Sequence, residues 1–196
     1  SRADVATSYR VQAIEGLARS KKTDFVTELL TAIERLDAAQ DSSADAAQND
    51  LAYILSGRKP NELGTKRDRL AKLALGARWP ATREIGYIAL VAVDNSIDPA
   101  WKLAWESPSR LADFLSAVPL FADAKLRAGL YSRIEPLLDE LPPELAKQAD
   151  EAGALAVRRA AIVALTSIAG HEETTFGKLA PLVNDPSLRA EAVRGL

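Results

Sequence analysis

Apolar positions in this chain recur at helical rather than strand spacing. In the stretch Val157-Arg158-Arg159-Ala160-Ala161-Ile162-Val163-Ala164-Leu165, an apolar residue is followed by Arg, a small residue three places on and Leu seven places on. The small residue and the Leu therefore share one helix face. The same phrase returns 31 residues later at Leu188-Arg189-Ala190-Glu191-Ala192-Val193-Arg194-Gly195-Leu196. It is present upstream at residues 9–17, with Arg10, Ala13, Ile14 and Leu17, and at residues 82–90, with Arg83, Gly86, Tyr87 and Leu90. A fifth, looser copy spans residues 126–134, and Arg127, Arg158 and Arg189 are evenly spaced by 31. The small residue admits a neighbouring helix and the Leu fills the space beside it. The Arg stem covers apolar surface while its head reaches water or an acid. One such helix cannot bury its apolar face alone, so the copies are expected to stack.

Reading outward from these copies predicts helices throughout. Residues 4–19 form a first helix, ended by Ser20-Lys21-Lys22. Thr23 or Asp24 caps a second that carries Phe25, Leu29, Leu30, Ile33 and Leu36 on its face. Residues 40–44 read as a loop, 45–55 as a helix stopped by Ser56-Gly57, and 58–64 as a connection holding Pro60 and Gly64. A short helix over 65–75 and a strong one over 81–93 follow, the latter broken by Asp94-Asn95-Ser96. Asp98-Pro99 opens a short helix with Trp101, Leu103, Ala104 and Trp105. Ser107-Pro108 starts another, through Leu111, Phe114, Leu115 and Val118. One helix over 123–138, kinked near Pro136, and a Leu141-Pro142-Pro143 corner come next. A break at Gly153 precedes the helix 154–169, which Gly170-His171 closes, and residues 172–183 form the outer helix of the last hairpin. No alternating strand pattern is found. The expectation is one all-α domain over residues 1–196: an α-solenoid of roughly five helical pairs. It comprises a first hairpin at 4–40, an irregular helical middle at 45–145 and regular repeats at 146–196.

The phrases DPSLRAEAVRGL (residues 185–196), ALAVRRAAIVAL (154–165) and YRVQAIEGL (9–17) resemble the HEAT family of helical-hairpin repeats, in which the Asp-Pro and Arg phrase opens the second helix of each hairpin. The intervals from Arg10 to Arg83 and from Arg83 to Arg127 exceed one ordinary repeat, hence the irregular middle. Residues 79–145 (WPATREIGYIALVAVDNSIDPAWKLAWESPSRLADFLSAVPLFADAKLRAGLYSRIEPLLDELPPEL), with AGHEETTFGKLAPLV at 169–183, look like the helical-repeat segment of large planctomycete-type heme-binding proteins. Those proteins join a dehydrogenase-like or hydrolase-like region, HEAT repeats and a CxxCH cytochrome c module. The resemblance implies a scaffold between other domains and an exported, periplasmic parent; without it the expectation is cytoplasmic. The absence of Met and of a polar terminal cap are read as marks of a piece cut from a larger protein.

Composition narrows the chemistry. The chain has 47% hydrophobic residues, which suits a packed domain. No apolar run approaches the ~20 residues of a membrane span. With no cysteine there is no disulfide, thiolate nucleophile, cysteine zinc site or CxxCH heme attachment within these residues. His171 is the single histidine. A metal site beside Glu172 and Glu173 would need three or four converging ligands, so a capping role for His171 is the stronger reading. Any Ser-His-Asp arrangement would also have to use His171, and no G-x-S-x-G, GxGxxG or P-loop phrase is present. The adjacent carboxylates Asp139-Glu140 and Glu172-Glu173 do not face each other on a helix. The expectation is a non-enzyme with no cofactor and no metal.

Charge is unevenly placed. The net charge is −2, with residues 1–80 at +2 and residues 81–196 at −4. Arg58, Lys59, Lys66, Arg67, Arg69, Lys72 and Arg78 put seven cations into 21 residues, against Glu62 and Asp68 alone. Such a run can grip phosphates in a salt-sensitive way, although no stacking aromatics interleave it and the rest of the chain is acidic. A solvated face or an acidic partner is preferred. Trp101 and Trp105 are four apart on one face; core packing is the default, and an exposed face would make an interaction hot spot. The functional expectation is a scaffold or interaction module for another protein or for domains of its own parent. The alternative is a phosphate-backbone nucleic-acid binder using residues 58–78.

Overall fold

The computed structural model describes residues 7–39 and 45–196. The 40–44 loop and the first residues of the 4–19 helix fall outside them. Every regular element among the described residues is helical. The chain divides into two compact units, Ser1–Asn95 and Ser96–Leu196. The division falls at the sequence break Asp94-Asn95-Ser96, where Asn95 adopts a left-handed conformation (φ 45°).

In the first unit, α1 (Thr7–Lys21) and α2 (Phe25–Ala38) form an antiparallel hairpin. Asp24 is the cap of α2, accepting from the Thr27 N–H at 2.8 Å. The other candidate, Thr23, instead donates its hydroxyl to Glu28, which also takes Lys21 at 2.7 Å. Leu29, Leu30 and Ile33 of α2 are fully buried. α3 (Asp45–Ser56) buries Ala47, Leu51, Ile54 and Leu55. The expected connection at 58–64 contains a helical turn, α4 (Pro60–Leu63), because Pro60 sits at a first-turn position where its missing N–H costs nothing. After a 3₁₀ turn come α5 (Arg67–Gly76) and α6 (Pro80–Asp94). The α5–α6 turn is fixed to α2 by Asp37, whose carboxylate accepts the Arg78 and Trp79 N–H groups at 2.8 and 3.0 Å.

In the second unit, α7 (Asp98–Ala104) leads to α8 (Pro108–Ala117), which Ser107 caps as expected by accepting from the Arg110 N–H at 3.3 Å. The single helix expected over 123–138 is three pieces: α9 (Ala124–Ala128), α10 (Tyr131–Ile134) and a 3₁₀ turn, Glu135–Leu138. Gly129 ends the first piece, and Pro136, lacking an N–H, lies in the 3₁₀ turn. The loose fifth phrase is therefore not one helix. After α11 (Pro143–Ala146), α12 (Glu151–Thr166) runs straight through Gly153. There is no break there, because Asp150 accepts the Gly153 N–H at 2.7 Å and makes that residue part of the first turn. α12 packs along α8 as the core of this unit, with Val157, Ala161, Ile162 and Leu165 buried on α12 and Leu111, Phe114 and Leu115 buried on α8. α13 (Glu172–Leu179) tightens into a 3₁₀ turn at Ala180–Asn184 around Pro181, short of one helix over 172–183. α14 (Arg189–Gly195) closes the described chain.

The arginines of the recurring phrase find a partner beyond the water or acid expected of them. They donate backward to backbone carbonyls of the preceding segment. Arg83 reaches the Ala77 and Arg78 carbonyls at 2.9 Å each, Arg127 the Phe121 carbonyl, Arg158 the Leu138 carbonyl at 2.9 Å and Arg189 the Val183 carbonyl at 2.9 Å. Arg83, Arg127 and Arg189 each reach six residues back. A guanidinium thus serves carbonyls that the ending of the previous helix or 3₁₀ turn leaves without an intrahelical donor. Arg10 differs: it is buried and pairs with Asp50 at 2.8 Å.

The hairpin also sets an acid sensitivity. Partial desolvation pushes the Asp24 carboxyl upward, but hydrogen bonds from Lys66 and Thr27 outweigh it and bring the pKa down to about 2. A carboxyl depressed in the folded state stabilises above its unfolded pKa, and that contribution is lost as pH falls toward the folded value. Asp24→Asn keeps a good cap and removes the charge. It should cost at most about 1 kcal/mol at pH 7, since the group is largely exposed and screened. The difference from wild type should close between about pH 4 and pH 2 in urea titrations.

Candidate interaction surfaces

The basic run is largely consumed in holding the first unit together. Arg69 of α5 makes a two-pronged pair with Glu34 of α2, at 2.6 Å on each arm, and adds the Thr31 hydroxyl at 2.8 Å and the Thr27 carbonyl at 3.2 Å. Arg67 forks onto Asp94 at 2.6 and 2.7 Å. These bidentate contacts hold both guanidinium groups even more firmly in the charged form. Lys66 pairs with Asp24 at 2.8 Å. Arg58 lies over the Phe25 ring at 4.4 Å, 3.9 Å from Glu62. Lys59, Lys72 and Arg78 are exposed, Arg78 lying 5.7 Å from the Trp79 ring centre. The run is thus brought together on one unit, but four of its seven cations already face acids. A window of 21 residues could not show this, because Asp24, Glu34 and Asp94 lie outside it.

Trp101 and Trp105 meet at 5.1 Å between ring centres, and both are half-buried. Trp101 also meets Phe114 edge-on at 5.6 Å, Phe114 meets Phe121 at 5.5 Å, and Arg133 sits 5.8 Å from the Trp101 ring centre while pairing with Asp98 at 2.7 Å. The pair is the outer edge of an aromatic cluster whose centre, Phe114, is fully buried.

His171 stacks on Tyr131 at 3.7 Å with the rings 12° apart, and the Tyr131 hydroxyl accepts from Thr175 at 3.4 Å. Glu172 accepts from the Gly170 N–H, a bond that holds its carboxyl below the usual range. Asp139 takes Lys178 at 3.2 Å, and the same ammonium reaches Glu135 at 2.7 Å. Among the described residues no group of three or more His, Asp and Glu is placed to hold a metal ion, and no helix is long and apolar enough to cross a membrane.

A groove that the sequence did not flag lies on the first hairpin. It has a volume of about 270 Å³ and a nearly all-apolar lining, with Ala13 and Leu17 of α1 facing Ala32 and Leu36 of α2, and Leu51 of α3 beside them. It exists because α1 is rotated relative to the phrase. The buried positions are Arg10, Ile14 and Ala18, so Ala13 is exposed and Leu17 is 45% exposed. In α6 and α12 the equivalent positions, Gly86 with Leu90 and Ala161 with Leu165, are buried as the phrase predicts. Comparison with known proteins returns no match to a family model, a curated protein or a solved structure.

Proposed function

We propose that this chain is a non-catalytic protein-binding module, a stack of HEAT-like helical hairpins that serves as a scaffold for another protein or for other domains of its parent. The observation that carries this reading is the apolar groove of the α1–α2 hairpin, where Leu17 stands 45% exposed beside Ala13, Ala32 and Leu36. An apolar groove between two helices is the kind of surface into which a partner's amphipathic helix lays its apolar face. The recurring arginine-to-carbonyl bonds support a repeat architecture, since each anchors a phrase helix to the segment before it. They also favour a preformed surface, so that little ordering is needed on binding. The likeness to the repeat segment of heme-binding multidomain proteins supports a parent whose other modules are the bound partners. No redox chemistry is assigned to this segment, which has no cysteine.

Selection of a displayed helical-peptide library against the full chain tests the reading. Enrichment of apolar-faced peptides whose affinity changes little between 50 and 200 mM salt is expected. No enrichment, together with salt-steep binding of duplex DNA, would overturn it in favour of a phosphate-backbone binder. That alternative rests on the exposed Lys59, Lys72 and Arg78. Binding through Z phosphate contacts should fall with salt at a log–log slope near −0.9Z.

A further inference from the structure

We infer that the α1–α2 groove takes an amphipathic helix that carries an acidic residue at one end of its apolar face. The inference rests on the protein-binding reading above and names the partner's chemistry. Residues 10, 13, 14 and 17 of α1 and residues 28, 31, 32, 35 and 36 of α2 line the groove at intervals of three and four. Two helical rows therefore run side by side for about two turns, roughly 11 Å. That is the surface onto which a third helix packs its own ridge. Ala13 and Ala32 leave the space, and Leu17 and Leu36 form apolar walls suited to anchors at i, i+4 and i+7 of the incoming helix.

Charge selects among such helices. Three charged side chains touch the groove, and two are already satisfied: Arg10 pairs with Asp50 at 2.8 Å, and Glu28 with Lys21 at 2.7 Å. Arg35 is exposed and forms no ion pair with any described residue, although at longer range it attracts Glu28, the carboxylate already held by Lys21. The charge left to match is positive, so a carboxylate on the partner adds attraction where a Lys would add repulsion.

A fluorescein-labelled amphipathic peptide with Leu at i, i+4 and i+7 and Glu beside the last Leu is titrated into the full chain by anisotropy, alongside its Glu-to-Lys counterpart. The Glu peptide should bind more tightly. Leu17→Lys, at an exposed position and checked for helicity by circular dichroism, should weaken it roughly tenfold or more. Arg35→Glu should reverse the preference between the two peptides, an outcome that general loss of structure would not produce. Equal binding of the two peptides, or no reversal in Arg35→Glu, overturns the inference. A concentration-dependent dimer of the chain alone that Leu17→Lys abolishes also overturns it, since the occupant is then a second copy. Library-selected peptides whose binding ignores both substitutions would leave the protein-binding function standing and remove only this groove and partner.

Discussion

Gly86→Ala should lower the stability of the first unit by about 3 kcal/mol, near the top of the usual range for overpacking. A Cβ on Gly86 would run into the Ala74 backbone nitrogen and lie 2.7 Å from its Cα and 2.9 Å from its Cβ. These are helix atoms, not the flexible end of a side chain, so α5 and α6 must separate and both lose contact. Alanine's better helix propensity returns less than ~1 kcal/mol. Gly16→Ala in α1 is the control. Nothing lies within 4 Å of its added Cβ, so the same substitution should stabilise by about 0.5–1 kcal/mol. Urea denaturation of both variants tests the pair. A neutral Gly86→Ala would mean that α5 and α6 do not approach as described.

The Gly86 contact is legible in the sequence, because a small residue three after the Arg marks the place where a neighbouring helix comes close. The helical class is equally legible, and so are a cap at Thr23 or Asp24, which the structure gives to Asp24, and one at Ser107, each set by one side chain and the N–H three residues on. What escaped depended on distant partners or on helix rotation. The Arg69–Glu34 pair joins residues 35 apart, and Arg67–Asp94 joins residues 27 apart. In the sequence, the run 58–78 consequently shows only Glu62 and Asp68 against its seven cations. The phrase gives the register of a helix only if every copy uses the same face. α6 and α12 do, but α1 turns Arg10 inward and Leu17 outward. That rotation, set by the Arg10–Asp50 pair and the burial of Ile14 and Ala18, creates the groove. The breaks at Gly129 and Pro136 are half visible: Pro136 predicts a kink, whereas nothing in the pattern marks Gly129, where α9 ends. Gly153 is the reverse case, a glycine inside a first turn that a capping aspartate keeps helical.

Phe114→Ala should be the most damaging single truncation in the second unit, at about 4 kcal/mol. The ring is fully buried, meets Trp101 and Phe121 edge-on, and lies on α8 where α12 packs. Loss of that size should lower the melting temperature by about 15 °C or more, with a change in tryptophan emission because Trp101 borders the void. Trp105→Ala provides the comparison that bears on function. Trp105 is half-buried and meets the cluster only at its edge, through Trp101 at 5.1 Å. Its removal should cost no more than about 2 kcal/mol, in proportion to the smaller apolar area it withdraws from water. A cost equal to that of Phe114→Ala would make the pair core and leave no role for it at a surface. A small cost would mean that stability alone does not account for a large aromatic at this position, and that its open face is available for a partner.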